Sequence, residues 1–133
     1  MYLEVFHELR RLGERIHSVL ADADALIAAA DETLTDIAFE PYCLENNATF
    51  DAGGKEWRLY AVAVRGEDGW RGELRVGAAD NGKTVDTALR DAPAEVRVAS
   101  WPHLERFLWR VCRDFEARAG ELYDHRPLIP AAV

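Results

Sequence analysis

At 133 residues the chain has the usual size of one domain, and its 49% apolar content is ample for one core. A formal net charge of −8, from 24 acidic against 16 basic side chains, opposes non-specific attraction to phosphate backbones and anionic lipid, so neither direct nucleic-acid binding nor membrane association is expected. Charges interrupt the apolar residues within every turn of positions 1–17, which excludes a signal-peptide core or a membrane span there and makes the cytoplasm the expected compartment.

The first third is the most legible. Val5, Leu9, Leu12, Ile16, Val19, Ala23, Leu26 and Ala30 recur at alternating spacings of four and three, which predicts a helix from near residue 2 to about 34. At 1.5 Å per residue it spans roughly 45–50 Å, longer than a small domain is wide, so it overhangs or meets a partner. A second apolar column, Phe6, Leu20, Ile27 and Leu34 with Gly13 as a gap, makes the apolar face wider than a two-stranded coiled-coil seam. Packing on a sheet and another helix is the expected use of that face. Asp22, Asp24, Asp31 and Glu32 read as a solvated acidic side of the same helix.

Past Thr35-Asp36 the period becomes extended. Ile37, Phe39 and Tyr42-Cys43-Leu44, interrupted by Glu40-Pro41, suggest an irregular edge strand, since proline cannot donate to a ladder. Ala48 to Phe50, Trp57 to Val64 and Trp70 to Val76, separated by turns at Asp51 to Lys55 and Gly66 to Gly69, read as an antiparallel meander. A four-residue loop at Gly66 to Gly69 pairs Arg65 with Trp70 and puts Trp57, Leu59, Ala61 and Ala63 on the core face with Trp70, Gly72, Leu74 and Val76. The outer face then shows Arg58, Tyr60, Val62, Arg71, Glu73 and Arg75. A five-residue loop would instead bury Tyr60, Val62 and Val64.

Asp80 to Thr84 is a loop by composition, and Pro93 suits the first turn of a second helix that reaches about Tyr123. Its stripe is Trp101, Leu104, Leu108, Val111, Phe115, Ala119 and Leu122, with Phe107 and Cys112 widening it. Pro102 either kinks this helix or restarts it with Ser100 as N-cap. Residues 124–133, with Pro127 and Pro130, read as an extended C-terminal arm.

The candidate chemistry is sparse. Gly77 and Gly82-Lys83-Thr84 meet the spacing of a phosphate-binding loop, but such a loop needs a helix directly behind it, and here a short stretch runs into Pro93. A surface loop is the expected reading. His7, His17, His103 and His125 form no pair at metal-ligand spacing, so no metal or other cofactor is expected. Cys43 and Cys112 lie far apart and read as buried thiols in a reducing compartment. The notable surface is on the last helix, where His103, Arg106, Arg110 and Arg113 share one face with Trp109 beside them. That is a basic stripe where an acidic partner could dock, and Trp and Arg are enriched at binding hot spots. Arg58, Tyr60, Arg71 and Arg75 on the outer sheet face form a second candidate surface.

The expected architecture is a single α+β domain over residues 1–133: a long helix, a three- or four-stranded antiparallel meander and a second long helix, both helices on one sheet face. In size, acidity and element order it is similar to secretion-type chaperones, though no motif is shared. The expected function is a non-enzymatic one, that of an adaptor, chaperone-like subunit or small inhibitor that binds another protein, working as a homodimer. A small acidic inhibitor that imitates nucleic acid, and a nucleotide-binding enzyme using Gly77 to Thr84, are the alternatives.

Overall fold

The alternating spacing that begins at Val5 builds one unbroken helix, α1 (Tyr2–Ile37), in a computed structural model that describes residues 2–125. Four antiparallel strands follow in sequence order across one sheet: β1 (Tyr42–Ala52), β2 (Lys55–Gly66), β3 (Gly69–Asp80) and β4 (Lys83–Ala88). A single 3-10 turn, Leu89–Asp91, leads into α2 (Ala94–His125). The fold is therefore α+β, with both long helices packed against an antiparallel sheet.

The register is that of the tighter hairpin, with Arg65 opposite Trp70 and Ala61 opposite Leu74. Trp57, Leu59, Ala61, Ala63, Leu74 and Val76 are accordingly buried on the face that meets the helices. The small residues there serve close approach, as the sequence implied. A Cβ on Gly72 would lie 2.5 Å from the Leu34 carbonyl carbon, so only glycine lets α1 cross β3 at this height.

Four expectations about the strands and helix ends are changed or decided. The irregular edge strand and the first meander strand are one strand, β1, whose register shifts between Leu44 and Ala48. Asp80 to Thr84 is not a free loop but the tip of a hairpin: Asn81 (φ 51°) and Gly82 (φ 79°) both take the left-handed backbone that a two-residue turn needs, and Lys83–Ala88 returns as β4. This strand escapes a hydrophobicity reading because Lys83 to Asp86 are exposed. α2 runs through Pro102 without restarting, and Ser100 is buried inside it, donating to the Arg97 carbonyl at 2.7 Å. The helix also takes in Asp124 and His125 from the expected C-terminal arm; residues 126–133 of that arm lie outside the described residues.

Two burial expectations also fail. Asp31 is only 9% exposed, because α1 presents it to the sheet edge and not to solvent. Cys43 and Cys112 are both exposed: Cys43 alternates outward between Tyr42 and Leu44, and Cys112 sits beside buried Val111 on the outer side of α2.

Along the core, α1 and α2 run side by side in the same direction. Arg97 Nε meets Asp24 Oδ1 at 2.8 Å near one end, and Arg118 grips Glu40 with two nitrogens at 2.6 and 2.9 Å beyond the other. α1 begins to be buried only at Ala23. Every residue from Tyr2 to Val19 is exposed except Gly13, which is half-buried. The expected overhang is therefore real, and it is half the helix.

Candidate protein-docking surface

α2 carries two apolar columns, not one. Val96, Leu104, Phe107 and Val111 face the sheet and are buried. Trp101, Leu108, Cys112 and Phe115, about 100° away around the helix, line the cleft against α1 instead. From α1 the same cleft receives Leu26, Ala30, Leu34 and Ile37. The result is a shallow apolar groove of about 580 Å³, continuous at Leu26, Leu108 and Cys112 with a second hollow of about 470 Å³ under Trp101 and Trp109.

Trp109 is 62% exposed and stands on the crest between this groove and a basic strip. Arg106, Arg110 and Arg113 line the strip with Trp109, Pro102 and Glu105. Neither Arg106 nor Arg113 forms an ion pair or hydrogen bond among the described residues. Four of the five residues singled out on α2 are thus brought together. His103 lies outside that strip but shares a neighbouring hollow with Arg106 and Arg110, where it turns toward β1 and stacks on Phe50 with ring centroids 5.7 Å apart.

The second candidate surface is used internally to a large degree. Tyr60 is only 7% exposed, and its hydroxyl donates to the Asp86 carboxylate. Arg75 donates to Asp86 Oδ1 from Nε at 3.0 Å and from Nη2 at 2.7 Å, and to Glu73 Oε2 from Nη1 at 2.8 Å. These carboxylates hold the Arg75 guanidinium above its ordinary range. Glu73 also meets Arg71 at 3.5 Å and Arg90 at 3.4 Å. Arg58 and Arg71 stay outward, with side chains 49% and 64% exposed; Arg58 lies over the Tyr60 ring and 3.7 Å from Glu45.

At the far end of the groove Tyr42 packs edge-on against Phe115, centroids 5.2 Å apart. Its buried hydroxyl finds no partner among the described residues, and that burial pushes its pKa up to about 12. Beside it, the Arg118 guanidinium draws the Glu40 carboxyl below the usual carboxylate range.

The Gly77 to Thr84 spacing has no cradle for phosphate. Gly77 lies inside β3 opposite Asp86, Lys83 opens β4 opposite Asp80, and a strand, not a helix, follows. Among the described residues no three His, Cys, Asp or Glu side chains converge as a metal site, and no helix is long and apolar enough to cross a membrane. Comparison with protein-family models, curated proteins and solved structures finds no match to this chain.

The groove is what sequence reasoning missed. Its signal was the apolar arc of α2, which is too wide for one sheet contact: Leu104, Phe107 and Val111 already fill the core, leaving Leu108 and Phe115 over.

Proposed function

We propose that this chain is a non-enzymatic protein-interaction domain of the adaptor, chaperone-like or inhibitor kind, cytoplasmic and homodimeric, that seats an amphipathic helix of another protein between α1 and α2. The observation that carries the reading is the apolar groove with a cationic crest along one side: Leu26, Leu108 and Phe115 below, Trp109, Arg106 and Arg113 alongside. From Trp101 to Ala119 the groove follows α2 for about 27 Å, the length of a helix of roughly 18 residues. An apolar stripe on that helix would displace water from the groove, and acidic residues on one edge would meet the strip.

The test is capture of partners from the native host by the wild-type chain, by Leu108→Asp, and by the double variant Trp109→Ala, Arg110→Ala, with bound segments mapped by crosslinking. The wild type should enrich a helix-forming segment with an apolar face and an acidic edge. Both variants, checked for native circular dichroism, should lose it. Equal recovery by all three removes the groove from the reading.

A further inference from the structure

In the overhanging half of α1, Tyr2, Val5, Phe6, Leu9, Leu12, Ile16 and Val19 are 36–80% exposed along one face of the helix, and nothing among the described residues covers it. We propose that this half pairs with the same half of a second copy, antiparallel, with the twofold axis between Arg10 and Arg11. The inference rests on the homodimer part of the proposed function and supplies its interface.

The register follows from packing and charge together. With the axis at that point, Tyr2 lies across from Val19 of the second copy, Val5 from Ile16, and Leu9 from Leu12, so every layer of the seam is apolar on both sides. In an antiparallel pair each flank of the seam faces the same flank of the other helix. One flank carries Phe6 and Gly13, and this register sets them against each other twice. A Cβ on Gly13 meets nothing within 4 Å in the single chain, so the slot is open, and the exposed Phe6 ring of the second copy is the group that fills it. A glycine in mid-helix weakens the helix, and here the weakness makes room for a ring.

The other flank carries Glu8, Arg15 and Asp22, and the same register sets Glu8 against Arg15 twice. Arg15 has no ion pair among the described residues, while Glu8 accepts from Arg11 Nε at 3.1 Å on the side away from the seam and has lone pairs left for a second donor. Sliding the pair by seven residues one way sets Glu8 against Glu8. Sliding it the other way sets Arg15 against Arg15 and Glu8 against Asp22. A further slide restores opposite charges but needs Ala23 and Ile27, which are 0% and 1% exposed in the chain's own core. A parallel pair would bring the charged flank against Gly13 and Leu20 and make no ion pair. A stable interface takes about 800 Å² from each partner, and seven large side chains so exposed supply an area of that order.

Sedimentation equilibrium on the full chain tests this with four proteins. Wild type should dimerise. Glu8→Arg places two arginines at each flank contact and Arg15→Glu places two glutamates, so each alone should self-associate roughly tenfold more weakly. Mixed in equal amounts, the two variants should recover a heterodimer as tight as wild type, because every contact is again opposite in sign. Gly13→Leu should raise helix content by circular dichroism yet weaken the dimer, since its side chain takes the place of Phe6. A wild-type dimer indifferent to Glu8→Arg overturns the pairing but leaves a homodimer formed elsewhere. A monomeric wild type overturns both the pairing and the homodimer, while the groove remains testable by capture.

Discussion

Asp31 on α1 accepts a hydrogen bond from the Leu74 amide of β3 at 2.8 Å, taking the place of a strand that has ended. β4 pairs with β3 only as far as Ala88 opposite Arg75, so the next amides on that edge, Leu74 and Gly72, would be orphaned. One helical turn of α1 answers a two-residue step of the strand: Asp31 takes Leu74, and Thr35 Oγ1 takes Gly72 at 3.0 Å. Asp31→Ala should therefore lower stability by about 1–3 kcal/mol, the penalty for an unpaired buried amide, and Asp31→Asn should recover most of it because the carboxamide oxygen still accepts. Urea unfolding of the three proteins checks the order.

Asp31 also predicts a pH dependence. Burial holds its carboxyl above the ordinary carboxylate range, outweighing the Leu74 amide and the Arg90 guanidinium 3.2 Å away. The folded chain therefore binds this proton more readily than the unfolded chain does. Its contribution is fully present below the unfolded carboxylate pKa, about 4, and is lost as pH rises through the raised folded value. Relative to Asp31→Asn, wild type should lose stability from pH 4 toward neutrality. Glu40, held down by Arg118, acts in the opposite sense: its contribution is present above the unfolded value and is lost as pH falls through the depressed one. A wild-type minus Asp31→Asn difference that stays flat across that range would contradict the first assignment.

Gly72→Ala should be among the most damaging small substitutions. The new methyl would stand 2.5 and 2.6 Å from the Leu34 carbonyl carbon and oxygen, and backbone on both sides leaves no flexible group to yield. Overpacking of this kind costs about 1–3 kcal/mol. Thermal unfolding should show a large fall in midpoint, whereas Gly120→Ala, where an added Cβ meets nothing within 4 Å, should show none.

These positions mark how far the sequence could be read. The core face of β2 and β3 was legible because Trp57, Leu59, Leu74 and Val76 alternate with polar neighbours and a tight hairpin fixes their register. β4 was not, since an edge strand exposed over most of its length has no hydrophobic period to find, and its Asn81-Gly82 turn was read as a loop. Asp31 was assigned to solvent because charge is ordinarily an exposed signal, and only the end of β4 explains its burial. On α2 Arg106, Trp109, Arg110 and Arg113 line one hollow, as their helical spacing implies, while the stacking of His103 on Phe50 depends on a distant strand that helical spacing does not foresee.

Tyr42→Phe should stabilise the protein. Its hydroxyl is buried with no partner among the described residues, so the folded state loses a hydrogen bond to water and regains nothing. Removing the oxygen keeps the edge-on contact with Phe115 and relieves roughly 1 kcal/mol or more of desolvation. A higher urea midpoint with an unchanged slope is the expected result. A lower one would mean that the hydroxyl is satisfied in solution.

The outer sheet face separates structural from available arginines, and that difference can be measured. Arg75 joins β2, β3 and β4 through Tyr60, Glu73 and Asp86, and its side chain is 29% exposed, so truncation leaves two carboxylates and a phenol without their common donor. Arg58 makes one long contact with Glu45 at 3.7 Å and lies over a ring, with its side chain 49% exposed. Arg75→Ala should therefore cost about 1–2 kcal/mol, after allowance for solvent screening, and Arg58→Ala no more than about 0.5 kcal/mol. Raising salt should narrow the gap only partly, since the Arg75 bonds are short and half-sheltered. If the two variants unfold at the same denaturant concentration, the network contributes nothing to the fold, and Arg75 would be as available to a partner as Arg58.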